Sequence, residues 1–138
     1  MALTASQSVQ REVIKHNADG TQTIILEKAD MVTPGDKVVY SLNYHNAEAK
    51  PAEHVILVMP VPTQVKYLEG TAENENVRTD YSVDGGQSYS RRANLTVHRE
   101  DGTSRAAIAE DITHIRWNME QAIAPGASGR LAFTARLK

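Results

Sequence analysis

The chain has 138 residues, no cysteine, and 15 basic against 17 acidic side chains, for a formal net charge of -2. That length suits one domain able to bury roughly two thirds of its unfolded surface without a covalent staple. Missing cysteine excludes disulfides, thiolate metal centres and thiol catalysis, and a charge balance whose longest basic cluster is Arg91-Arg92 is not a nucleic-acid footprint.

No apolar run approaches the ~20 residues of a membrane-spanning helix, so no membrane insertion is expected. The segment from Met1 to Ser6 has neither the charged nor the apolar region of a secretory leader. If the protein is exported, its leader has been removed.

Turn signals recur along the chain: Asp19-Gly20, Pro34-Gly35-Asp36, 46–51, Pro60-Val61-Pro62, Glu69-Gly70, Asp84-Gly85-Gly86, Asp101-Gly102 and Pro125-Gly126. Between them lie runs rich in Val, Ile, Thr and Tyr. Strands are expected over 9–15, 22–28, 37–45, 53–59, 64–68, 77–83, 87–90, 94–99, 112–118 and 129–137. Only Ala106 to Glu110 has helical propensity, and it is too short for a stable helix.

The run from Lys37 to His45 alternates cleanly. Val38, Tyr40, Leu42 and Tyr44 share one face, and Lys37, Val39, Ser41, Asn43 and His45 the other. Leu131, Phe133, Ala135 and Leu137 repeat the pattern near the end. In 112–118, Ile115 and Trp117 turn inward, and the single Trp is expected between two sheets. The segment Val55-Ile56-Leu57-Val58-Met59 departs from this rule by being apolar on both faces. It is either a central strand covered on both sides or an apolar surface that docks another domain or subunit. These five residues are the candidate interaction strand.

The hairpin Tyr81-Ser82-Val83-Asp84-Gly85-Gly86-Gln87-Ser88-Tyr89 resembles the Asp-box, S-x-D-x-G-x-T-W, with Ser88-Tyr89 in place of the final Thr-Trp. The resemblance implies a structural role for Asp84, which an Asx turn also explains.

Candidate chemistry is sparse. His16, His45, His54, His98 and His114 lack ligand spacing, and His45 and His114 are expected to face solvent. Carboxylates gather at Glu73, Glu75 and Asp80, at Glu100-Asp101 and at Glu110-Asp111, without a calcium-loop signature. No nucleophile elbow, phosphate loop or dinucleotide fingerprint occurs. No catalytic residue, cofactor or metal is therefore assigned. Asn94-Leu95-Thr96 is a formal glycosylation acceptor. An intramolecular Lys–Asn bond would draw on Lys28, Lys37, Asn43 or Asn118, but an unpartnered buried Lys is costly.

The run Val32-Thr33-Pro34-Gly35-Asp36-Lys37-Val38-Val39-Tyr40-Ser41-Leu42-Asn43-Tyr44-His45-Asn46 resembles the V-x-P-G-D-x-V-x-Y-x-I-x-Y-x-N opening of the DUF11 repeat, a bacterial immunoglobulin-like domain of unknown function. Pro51 to Leu57, Pro62 to Thr71, Thr113 to Trp117 and Ile123 to Gly129 resemble its later segments in the same order, over roughly residues 30–138. Met59 stands where many members carry Asp. The likeness implies an all-β, immunoglobulin-like antiparallel sandwich of about seven to ten strands, with the strands within 9–28 packing on the 30–138 core. It also implies a periplasmic, secreted or cell-surface protein, and it transfers no catalytic residue.

Three functions follow as expectations. The first is a non-enzymatic structural or protein- or glycan-binding module of the bacterial envelope. The second is a periplasmic accessory or chaperone-like protein that pairs through a sheet edge. The third is a carbohydrate-active enzyme, which would need convergent carboxylates in a cleft.

Overall fold

The computed structural model describes residues 3–28, 32–74 and 76–138. Met1, Ala2 and Glu75, named among the expectations above, lie outside the described residues, as do residues 30 and 31 of the DUF11-like stretch. The described residues form ten strands: β1 (Leu3–His16), β2 (Gln22–Lys28), β3 (Lys37–Asn46), β4 (Ile56–Pro60), β5 (Val65–Tyr67), β6 (Val77–Ser82), β7 (Thr96–His98), β8 (Ser104–Ala106), β9 (His114–Met119) and β10 (Ser128–Leu137). They assemble into a five-stranded sheet in the order β2-β1-β3-β10-β5, a three-stranded sheet β4-β9-β6 and the small hairpin β7-β8. Every pairing is antiparallel. The fold is thus the expected all-β antiparallel sandwich.

Two hairpins close on the same tripeptide, Asp-Gly-Thr. Asp19 accepts from the N–H and the hydroxyl of Thr21, at 3.0 and 2.6 Å, and Asp101 accepts identically from Thr103. Gly20 and Gly102 sit at φ +87 and +86°, where a side chain would be strained. This chemistry makes β1–β2 and β7–β8 local structures, written in three residues each.

The core lies between the two larger sheets. Trp117 and Ile115 of β9, Phe133 and Ala135 of β10, Tyr67, Tyr81, Met59 and Leu42 are almost wholly removed from water. Tyr40 stacks on Phe133 with ring centroids 5.1 Å apart. Polar atoms carried into the core are paired, as burial demands. The Trp117 indole donates to the Ala72 carbonyl at 2.9 Å, the Ala72 N–H donates to Tyr67 Oη at 3.1 Å, and Tyr81 Oη donates to Glu73 Oε1 at 2.8 Å. The segment after β5 is thereby fastened to the core by both backbone groups of one alanine.

Several expectations need correction. β3 is not half-exposed: as the middle strand of five it also buries Val39 and Ser41 on its outer side. The Arg130 guanidinium donates to Ser41 Oγ from Nη2 at 2.6 Å and Nε at 2.9 Å. Residues 87–90 form no strand. The two positive-φ glycines at 85 and 86 widen the loop, and only the Tyr81–Ser90 bridge returns to the ladder. β1 starts at Leu3 rather than at 9, β8 was not anticipated, and the helix-prone stretch yields a single 3-10 turn, Ala109–Asp111.

One glycine is required by packing. Gly129 of β10 lies opposite Tyr44 of β3, and the Tyr44 ring covers it so closely that a Cβ would come within 2.2 Å of Tyr44 Oη.

Candidate interaction face

The five candidate residues do not act as one patch, because β4 is an edge strand and not a central one. Val55 and Met59 are buried and Leu57 is half-buried toward the core, whereas Ile56 and Val58 are 57% and 42% exposed. The period of two thus operates after all, but the outer row is aliphatic instead of polar.

Backbone geometry sharpens the picture. The N–H of Met119 reaches the carbonyl of Val55 and that of Val61 reaches Thr113, so odd residues of this strand bond to β9. Groups alternate in direction along an antiparallel strand. Ile56 and Val58 therefore direct their N–H and C=O groups to the open edge, and Pro60 has no N–H to offer. At the other end His54, at φ +54°, turns the chain before β4 begins. The free edge is short, and the side chains of Ile56 and Val58 are its main feature.

Beside them on the same outer face, Ile56 pairs with Asn118 and Val58 with Arg116, and these pair in turn with Arg78 and Asp80 of β6. Asp80 is 4% exposed. It accepts from Arg116 at 3.0 Å and from Asn118 at 3.0 Å, with Arg78 at 3.4 Å. Tyr89 covers Arg116, the guanidinium carbon lying 4.4 Å from the ring centroid. The result is an aliphatic strip bordered by an interlocked polar cluster in which two guanidinium groups and one amide share a single carboxylate.

Tyr89 owes its place to the Asp-box-like hairpin. Asp84 accepts from Ser82 Oγ at 2.7 Å and the Ser88 N–H at 3.0 Å, and Ser82 Oγ accepts from the Gly86 N–H at 2.9 Å. These bonds, those from Ser88 first and from Ser82 next, hold the Asp84 carboxyl well below its ordinary range. Asp84 is a turn residue.

The other candidates remain dispersed. His45 pairs with Ser128 at 2.6 Å, His98 with Ser104 at 2.9 Å and His114 with Thr113 at 3.1 Å. Among the described residues, no three His, Asp or Glu side chains converge as a metal site would require. His45 is exposed as expected, whereas His114 is half-buried. Asp111 is bound bidentately by Arg105 at 2.7 and 2.8 Å, which lowers its carboxyl. The Lys–Asn reactants are not assembled: Lys28 and Asn43 are exposed, Lys37 lies 3.9 Å from Glu12, and Asn118 is held by Asp80. Asn94 is exposed in a 3-10 turn.

Comparison with protein-family profiles, with characterised proteins and with solved structures finds none that matches this chain.

Proposed function

We propose that this chain is a non-enzymatic structural or binding module of a bacterial envelope, periplasmic or surface-exposed, built on an immunoglobulin-like, DUF11-like sandwich. The exposed aliphatic pair Ile56 and Val58 beside the Arg116–Asp80 cluster carries the reading. An aliphatic strip with a polar border resembles the centre and rim of a protein interface. A protein partner suits it better than a glycan, because the one neighbouring aromatic, Tyr89, already has its face against Arg116. The paired carboxylates also favour binding over catalysis. Asp80, Asp84 and Asp111 are each engaged in structural bonds.

The test places a photo-crosslinking residue at Val58, with Thr23 as the control position, and exposes the protein to envelope extract. One defined protein adduct from position 58 is expected. The double variant Ile56→Asp, Val58→Asp should reduce retention of that protein at least tenfold while leaving stability within about 0.5 kcal/mol, as exposed substitutions do. Equal adducts from both positions, or unchanged retention, would refute the reading.

A further inference from the structure

The β7–β8 hairpin has a closed side and an open one. The Ala107 N–H donates to the Leu95 carbonyl at 2.9 Å and the Arg99 N–H to the Thr103 carbonyl at 2.7 Å. Both bonds belong to the register that sets Val97 opposite Arg105, so odd residues of this strand bond to β8. Groups alternate in direction along an antiparallel strand. Thr96 and His98 therefore direct their N–H and C=O groups away from β8, and among the described residues no strand pairs with β7 there.

That open side faces a recess of about 330 Å³. Residues 95–98 form one wall, and the loop after β6 forms the other, at Val83, Asp84 and Ser90. No residue of β8 lines the recess, so it runs along the free edge of the hairpin and not over its face. The far wall is anchored. Ser90 exchanges two backbone bonds with Tyr81, at 2.9 and 3.0 Å, and Asp84 is held by Ser82 and Ser88. Every residue from 76 to 138 is described, which includes both walls and the chain that joins them.

We infer that this slot takes a short extended peptide, which adds to β7 as a third strand and carries a basic residue beside an apolar one. Strand addition satisfies backbone groups on both partners. A peptide residue opposite Thr96 and another opposite His98 supply the complementary donors and acceptors, and one residue lies between them opposite Val97. β7 has three residues, so the occupant pairs over the same length. Brevity normally protects an edge from long strands, and here it selects a short partner.

Side-chain preference follows from the pleat, which sends successive side chains to opposite faces. Val97 packs against the core, whereas Thr96 and His98 are exposed. The middle side chain of the peptide therefore turns toward the apolar floor of Val83, Leu95 and Val97, and its two neighbours turn to solvent. Charge selects those neighbours. Among the described residues Asp84 is the one carboxylate on the lining, which contains no Lys or Arg, so a cation is attracted and an acidic residue opposed. This slot is separate from Ile56 and Val58 and does not depend on their role.

The test titrates isotope-labelled protein with the capped peptide acetyl-Ser-Lys-Val-Lys-Ser-amide and follows the backbone amides by NMR. All changes are made in the peptide, so the fold of the protein is not at stake. Saturable shifts at millimolar peptide are expected, largest at the amides of Thr96 and His98 and small at Val97, which already bonds to β8. Methylating the backbone nitrogens of both peptide Lys residues should weaken binding about tenfold or more. Replacing both with Glu should weaken it about threefold or more. The inference is overturned by the absence of saturable shifts, by binding that survives methylation or charge reversal, or by shifts centred on Ile56 and Val58. Shifts at Thr96 and His98 that grow with protein concentration alone would assign the edge to a second copy and overturn it as well.

Discussion

The indole of Trp117 does two things at once: it fills the middle of the core and supplies the shortest of the hydrogen bonds to the Ala72 carbonyl. The two contributions separate in a pair of substitutions. Trp117→Ala removes a wholly buried aromatic, for which about 3–5 kcal/mol is the ordinary cost in a packed interior. Trp117→Phe keeps much of the packing but takes from the Ala72 carbonyl its shortest bond, leaving Asn74 Nδ2 at 3.1 Å and Thr79 Oγ1 at 3.4 Å. Losing one hydrogen bond to an acceptor that keeps other donors costs about 0.5–1.5 kcal/mol, and the lost ring atoms add about 1 kcal/mol. Trp117→Phe should therefore destabilise by about 1.5–2.5 kcal/mol, more than a volume change alone would suggest. Because Ala72 also donates to Tyr67 Oη, Tyr67→Phe should act on the same segment and combine non-additively with Trp117→Phe. Urea unfolding followed by far-ultraviolet circular dichroism provides the free energies for both variants and the double. A Trp117→Phe cost below about 0.5 kcal/mol, the level of a surface substitution, would refute the claim that the indole bond secures this segment.

Gly129→Ala should destabilise by about 1–3 kcal/mol as the Tyr44 ring is forced from its place. Adding Tyr44→Ala should recover part of that loss in the same urea assay. Alkaline stability reports on Tyr81, whose hydroxyl is pushed far above its ordinary range by burial first and then by its bonds with Tyr67 and Glu73. A raised pKa in the folded state means stability intact below the unfolded value of ~10 and declining as pH climbs past it. Melting temperatures between about pH 9 and 11 (one unit on either side of that value) should fall, and Tyr81→Phe should flatten the fall. At the acid end, Asp84 and Asp111 have lowered pKa values, for which the opposite sign holds. Their stabilisation is present above about pH 4 and is lost below it, which a melting series from pH 5 to pH 2 measures.

The elements most legible in the sequence were those whose signal is local. β2, β3, β9 and β10 match their expected ranges to within about two residues, because alternation and bounding turns are properties of neighbours along the chain. The turn around Asp84 was legible for the same reason, although the strand expected over 87–90 does not form. Burial on the outer side of β3 was not, since Val39 and Ser41 are covered by what lies across the sheet, including Arg130, which follows Ser41 by 89 positions. The apolar doubling of Val55 to Met59 signalled an unusual strand correctly, but its edge position depends on pairing order, which no local pattern encodes.

Five strands facing three imposes a consequence that composition could not. The smaller sheet covers part of the larger one, so β1 and β2 carry inward-parity residues that remain exposed. Val9 at 41% exposure stands on the same face as buried Val38, Leu42 and Phe133. Hydrophobic stabilisation is therefore concentrated around Trp117 and falls off toward the β1–β2 hairpin, whose end beyond β3 is held chiefly by its own ladder and by surface pairs such as Arg11–Glu27 at 3.1 Å, each contributing little in water. Segments with few buried contacts open first. Amide exchange should then rank β9 and β10 as most protected and β2 as least.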